Sequence, residues 1–392
     1  MFGYEMERVR RLQELMAEEG LVALVCRLPE NVVYICDYWP HHGISVAVLL
    51  QQGRATLFIP EVEAEWGNPD WAEVVPFGWA LLKDPDQYSS YRTLLGDIRD
   101  QLGLGIGKIG VEKSLEVVGT TYRHAEPIIP AAPWWRMLEW TFPDAELVDA
   151  TDLMQSAKLI KTSYDLERLQ VANELAEIGT TKFLEELQPG MSEVEVSALI
   201  EGTIRRSGAG YKGARLVFAE AEVASGPANT ARANLLIPST ERVIQEGDLV
   251  MVEMATVMDG YYSDLTYMAV AGEPDERQRE VHNAVLEAQQ AASRKMVPGN
   301  SYEEPDTAAR QVLERAGLGE YFVHVTGHGL GFRFHESTPF LMPGASGTLQ
   351  KGMVSSVEPG VYIPGFGGIR IEDNVAVGET GPDFLSTPRK PW

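Results

Sequence analysis

The feature that most constrains this chain is a hairpin carrying acid into apolar surroundings. In residues 247–266, Glu253 and Asp264 stand among alternating apolar residues on either side of Asp259-Gly260. Asp-Gly between two such runs marks a two-residue β-hairpin turn. An unpaired charge in a core is costly, so a buried acidic hairpin asks for a cation. The rest of the chain then has to supply that cation's other ligands.

A second segment, Val354 to Glu372, reads as another hairpin with Glu358 and Glu372 on its two arms. Between the hairpins runs a Gly-rich stretch from His324 through Gly327-His328-Gly329 to His335-Glu336, where three of the chain's seven histidines fall within twelve residues. A single hairpin carboxylate is ordinarily a solvated surface group. Four of them converging beside an imidazole is a different matter, and that donor set suits Mn, Zn, Co or Fe.

The remaining sequence places these hairpins in the second of two domains. Met6, Val9, Leu12 and Met16 recur at helical spacing before Gly20, and Leu21–Cys26, 44–50, 55–59 and 108–112 read as strands. This makes residues 1–155 a mixed α/β domain, closed by an irregular segment around Pro127, Pro130, Pro133 and Trp134-Trp135. Residues 156–392 are an α+β domain in which helix pairs alternate with the acidic hairpins. Thr162 with Asp165, and Ser192 with Glu195, have capping-box spacing at two helix starts.

Composition excludes several classes of function. A formal charge of −24 opposes nucleic acid and anionic membrane. Cys26 and Cys36 are too few for a disulfide framework, which favours a cytoplasmic location. The charged N-terminus reads as a helix rather than a secretory signal.

The motifs Pro29-Glu-Asn-Val-Val-Tyr34, Lys158-Leu-Ile-Lys161, GHGLG at 327–331, His335-Glu336, Glu358-Pro359-Gly360 and Gly368-Ile-Arg-Ile-Glu-Asp373 stand together in one order. In that order they resemble the creatinase, aminopeptidase P and prolidase family. The resemblance implies a creatinase-like N-terminal domain followed by a pita-bread catalytic domain. It also implies metal-dependent hydrolysis of amide bonds, with Xaa-Pro dipeptides or peptides as substrates. Its metal ligands fall on Glu253, Asp264, His328, Glu358 and Glu372, holding one or two ions, manganese foremost. His324 and His335 fall where the family uses histidines around the substrate. Arg370, a neighbour of Glu372 in sequence, is expected to pair with a carboxylate and to help bind substrate, and the resemblance implies a homodimer in which His41-His42 edges a neighbouring subunit's pocket.

The same resemblance exposes three departures. Glu253 stands where aspartate is usual, Asn234 where a histidine is expected, and Tyr267 where an arginine is expected. No histidine lies between His124 and His282. Asparagine cannot take a proton near neutral pH, which leaves Asn234 a substrate-binding role only; Tyr267 is a second substrate-binding candidate. Two other readings follow from these losses: a hydrolase of small amides or amidines with one metal or none, and a non-catalytic binding protein.

Overall fold

The computed structural model describes residues 4–41, 45–78, 87–113, 132–233 and 238–392. They form two compact units that divide between Thr162 and Ser163.

The first unit comprises α1 (Tyr4–Glu19), β1 (Leu21–Cys26), α2 (Pro29–Cys36), β2 (Val46–Leu50), β3 (Ala55–Pro60), β4 (Ala72–Phe77), α3 (Gln87–Leu102), β5 (Gly107–Val111), α4 (Ala132–Thr141), β6 (Ala145–Asp149) and α5 (Thr151–Leu159). Its six strands form one mixed sheet in the order β4-β3-β2-β1-β5-β6. Val25, Val48 and Ile109 on the sheet pack with Leu95 and Leu138 of the helices in one core. The expected helix and strands are present, with β1 at the predicted residues. The supposed irregular stretch around Trp134-Trp135 is instead α4. Pro133 falls in its first turn, where the missing N–H is harmless.

The second unit holds α6 (Ser163–Glu186), α7 (Glu193–Gly208), β7 (Val217–Ser225), α8 (Gly226–Thr230), β8 (Leu249–Met258), β9 (Tyr261–Val270), α9 (Glu276–Ser293), α10 (Glu303–Arg315), β10 (Gly327–Gly329), β11 (Glu336–Leu341), β12 (Val354–Val357), β13 (Gly360–Ile363), β14 (Gly367–Arg370), β15 (Asp373–Val377) and β16 (Pro382–Phe384). Strands β7-β8-β9 form one sheet, β11-β10-β12-β15-β16 a second, and β13-β14 a two-stranded ribbon. Ser192 and Glu195 make the expected capping box on α7.

The acidic hairpin is β8–β9. Asp259 and Gly260 both have positive φ, 51° and 86°, the backbone of a type I′ turn that joins strands without splaying them. Asp259 is held there by backbone N–H groups of Arg215 and Leu216 and by the Arg168 guanidinium. This register opposes Glu253 to Thr266 and Ala255 to Asp264, so the two acids share one face. Val252, Met254, Leu265 and Tyr267 project from the other face into a core with Ala172, Leu175 and Ile200 of α6 and α7.

Candidate metal centre

The second acidic hairpin is interrupted at its acids. Val357 pairs with Asp373 and Gly360 with Arg370, a single register that makes Glu358 and Glu372 opposite partners. Both residues fall in the gap between the β12–β15 ladder and the β13–β14 ribbon. Their backbones leave the ladder there. The Glu358 N–H turns to the carbonyl of Thr326, 2.7 Å away, which ties this gap to the segment leading into β10.

His328 reaches the same place from β10, and its two glycine neighbours are explained by space. A Cβ on Gly327 would lie 2.0 Å from the Ser356 carbonyl oxygen, and one on Gly329 would lie 2.2 Å from that of Thr338. Only a strand without side chains at both positions fits between β11 and β12.

These elements bring all five expected ligands together. Glu253, Asp264 and Glu372 each offer an oxygen within 4.8 Å of the other two. His328 Nε2 lies 3.2 Å from Asp264 Oδ2 and 3.4 Å from Glu358 Oε1. His328 Nδ1 is 3.0 Å from the Gly329 carbonyl, to which it must donate, so the Nε2 lone pair faces the carboxylates. Ser356 Oγ donates to Glu358 Oε1 at 3.0 Å, and the Asn374 amide brackets the Asp264 backbone at both N–H and carbonyl.

Too much negative charge is gathered here for every carboxylate to ionise. Burial, then Glu372 and Glu253, push the Asp264 carboxyl well above the carboxylate range; burial, then Glu253 and Glu358, do the same to Glu372. Burial brings Glu358 up to about 7 despite Arg370. Burial also works to raise Glu253, but Arg370 and hydrogen bonds from Asp264 and Thr266 hold it at about 2. Burial lowers the His328 pKa, keeping the imidazole neutral. Asp264 Oδ1 and Glu372 Oε1 are buried with no hydrogen-bond partner among the described residues. Buried orphan oxygens are rare. A divalent cation would satisfy them, and carboxylates with one neutral imidazole are a donor set that fits it.

Arg370 is buried, and its hydrogen bonds are spent inside the protein. Its Nη2 pairs with Glu253 Oε2, Nε donates to Thr266 Oγ1 at 2.8 Å, and Nη1 donates to the Ala233 carbonyl at 2.9 Å and Tyr362 OH at 3.0 Å. It therefore orders the site rather than offering a hand to substrate. Thr266 Oγ1 stands 2.6 Å from Glu253 Oε2 and 2.7 Å from Glu372 Oε2, linking the two hairpins.

The histidines differ from each other. His324 donates from Nδ1 to the Val325 carbonyl at 2.7 Å, so its Nε2 accepts from Tyr362 OH at 2.9 Å. Both nitrogens are engaged, and burial, then Arg370, brings its pKa down to about 4. His335 is half-buried with its ring centroid 4.3 Å from that of His328. Tyr267 is on the opposite face of β9 from the ligands, beneath the Arg389 guanidinium, which removes it from the substrate side. Asn234 and His42 lie outside the described residues. Sequence reasoning missed Thr266, Ser356, Tyr362 and Asn374. Of these only Thr266 had a legible signal, since it shares the face of Asp264.

Known proteins match this chain across both of its units. The model of metallopeptidase family M24 matches residues 167–379, and that of the creatinase/prolidase N-terminal domain matches residues 8–160. The Xaa-Pro dipeptidase of Pyrococcus horikoshii is 30% identical over 380 residues, covering 97% of each chain. Among solved structures, the Xaa-Pro dipeptidase from Bacillus anthracis superposes with a TM-score of 0.78 at 27% identity over 98% of both chains. The prolidase from Pyrococcus horikoshii gives 0.77 at 27% identity over 98% of this chain and 99% of that one.

Proposed function

The chain belongs to metallopeptidase family M24, and we propose that it hydrolyses Xaa-Pro dipeptides with Glu253, Asp264, His328, Glu358 and Glu372 holding one or two divalent ions, manganese foremost. The observation that carries this reading is the convergence of three carboxylates within 4.8 Å, two of them with orphaned buried oxygens, on a neutral imidazole. Relatives called Xaa-Pro dipeptidase align over nearly the whole chain, which favours a peptidase over the amidine hydrolase and the binding protein.

When bound, the metal supplies Lewis acidity toward the scissile carbonyl and acidifies a water. The protein's own residues do the rest. His328 keeps its lone pair toward the metal position because Nδ1–H is committed to Gly329. Thr266 and Arg370 fix the orientation of Glu253 and Glu372. His335, beside His328, is the group we assign to the substrate carbonyl, where a positioned donor stabilises the developing oxyanion. His324 acts through Tyr362, which it orients. A homodimer in the reducing cytoplasm completes the proposal, in keeping with two buried free cysteines; no helix among the described residues is long and apolar enough to cross a membrane.

Metal content and activity test this together. Protein stripped by chelator and reconstituted with manganese should bind one or two ions and cleave Xaa-Pro dipeptides in preference to Xaa-Ala dipeptides. Turnover of guanidino or cyclic amidine compounds by the stripped enzyme would overturn the reading. In Glu253→Asp, a rise from one ion to two would show that the longer side chain limits occupancy.

A further inference from the structure

On the face of β8–β9 opposite the ligands, the segment after β16 runs across the back of both acidic hairpins. It is held at discrete points. Ser386 Oγ donates to Asp373 Oδ1 at 2.7 Å, Thr387 donates from N and Oγ1 to the Glu177 carboxylate, and Trp392 stacks on His282 with ring centroids 4.0 Å apart. Beside it opens a pocket of about 400 Å³ lined by Thr180, Tyr267 and His282 and by Arg389 and Trp392 of the segment itself. The segment thus rests on a few anchors rather than on a filled core.

Arg389 is the anchor nearest the metal centre. Its guanidinium carbon sits 3.6 Å from the centroid of the Tyr267 ring. Its Nη2 is 3.5 Å from Asp373 Oδ1 and 3.4 Å from the carbonyl oxygen of Glu372. Tyr267 follows Thr266, the hydroxyl between the two hairpins, and Asp373 follows Glu372. Glu372 also sits in the gap between two ladders, so its main chain lacks the strand pairing that fixes its neighbours. Asp373 is fully buried and is steadied further by Gln289 Nε2 at 3.0 Å.

We propose that Arg389 is a positioning residue for the metal centre, holding Glu372 from behind through its carbonyl and through Asp373. It delivers from the C-terminal segment the guanidinium expected at position 267. Tyr267 contributes the aromatic floor on which that guanidinium lies, so the tyrosine and the distant arginine form one replacement. A guanidinium over an aromatic face is attracted to it while keeping its N–H groups for in-plane acceptors, here the Glu372 carbonyl and the Asp373 carboxylate.

The inference rests on the reading of the acidic cluster as a metal site, and the test separates the two. Manganese affinity of the stripped full-length protein is measured by calorimetry, with melting temperature recorded before and after loading. Arg389→Ala should weaken manganese binding by about 10–100-fold, the usual effect of losing a partner that orients a ligand. Arg389→Lys keeps the charge without the fork and should fall between. Tyr267→Arg in the Arg389→Ala background should recover most of the affinity, because it returns a guanidinium to the same space from the strand. Thr387→Ala loosens the segment at Glu177 without touching Glu372 or Asp373 and should bind manganese like the wild type. Wild-type affinity in Arg389→Ala, an equal loss in Thr387→Ala, or no recovery in the double variant would each overturn the inference. A wild type that takes up no manganese would instead overturn the metal-site reading beneath it.

Discussion

Arg370→Met tests whether the guanidinium serves as the resident counter-charge of the metal-free site. The Arg370 and Glu253 side chains are 7% and 14% exposed, so solvent screens their contact very little. Removing one partner of a buried pair costs about 3–5 kcal/mol, because the other charge is left uncompensated. In the stripped protein the variant should lose about that much in addition to its other hydrogen bonds, and the Glu253 carboxyl should rise from about 2. Loaded with manganese, Glu253 regains a cationic partner. The loss should then shrink toward the hydrogen bonds to Thr266, Ala233 and Tyr362, at roughly 1 kcal/mol each. Guanidinium-induced unfolding at matched slopes, with chelator and with manganese, measures the two losses. Adding Glu253→Gln to Arg370→Met should recover part of the stripped-state loss, since no lone charge then remains. Equal destabilisation in both states, with no recovery in the double variant, would refute the counter-charge argument.

Other perturbations probe the site from different sides. His328→Ala should abolish metal uptake while leaving the circular dichroism spectrum unchanged; retained occupancy, measured by elemental analysis, would remove His328 from the ligand set. Gly327→Ala should impair metal binding without altering a ligand, because its Cβ would collide with the Ser356 carbonyl and displace β10. The Glu358 carboxyl is raised to about 7, so between about pH 4.5 and 7 the folded stripped protein keeps a proton that the unfolded chain releases. Stability from this group therefore falls as pH rises through that window. Relative to Glu358→Gln, the stripped wild type should lose about 3 kcal/mol from pH 4.5 to 7.5. Denaturation curves at the two pH values check this, and a difference of the opposite sign would refute the assignment.

Much of the candidate metal centre was legible because strand alternation and turn chemistry are local. Asp259-Gly260 fixes the turn, the turn fixes the register, and the register places Glu253 and Asp264 on one face. His328 was legible through its flanking glycines, although the reason for them, the carbonyls of Ser356 and Thr338, is a tertiary fact. What could not be read were relations between segments far apart in the chain. Arg370 looked like a neighbour of Glu372, but it joins Glu253, Thr266, Ala233 and Tyr362. Tyr267 was assigned to substrate because it stands where an arginine is expected after Asp264-Leu-Thr266. The same alternation that aimed the acids inward sends an odd-numbered residue of β9 to the other side. In the first unit, helix α4 was hidden by prolines that read as breakers, although Pro133 sits where a helix tolerates it.

The broken ladder of the second hairpin also bears on how such chains can diverge. Glu358 and Glu372 are set by the β12–β15 pairing on one side, so the ribbon beyond them, out to the turn after Ile363, is free of any duty to keep these two opposite each other. Insertions or deletions at that tip should be tolerated by the metal centre. A single residue gained between Val357 and Glu358, or between Glu372 and Asp373, would turn a ligand out of the site. Among relatives, the separation between the two glutamates should therefore drift, while each stays locked to the strand residue beside it.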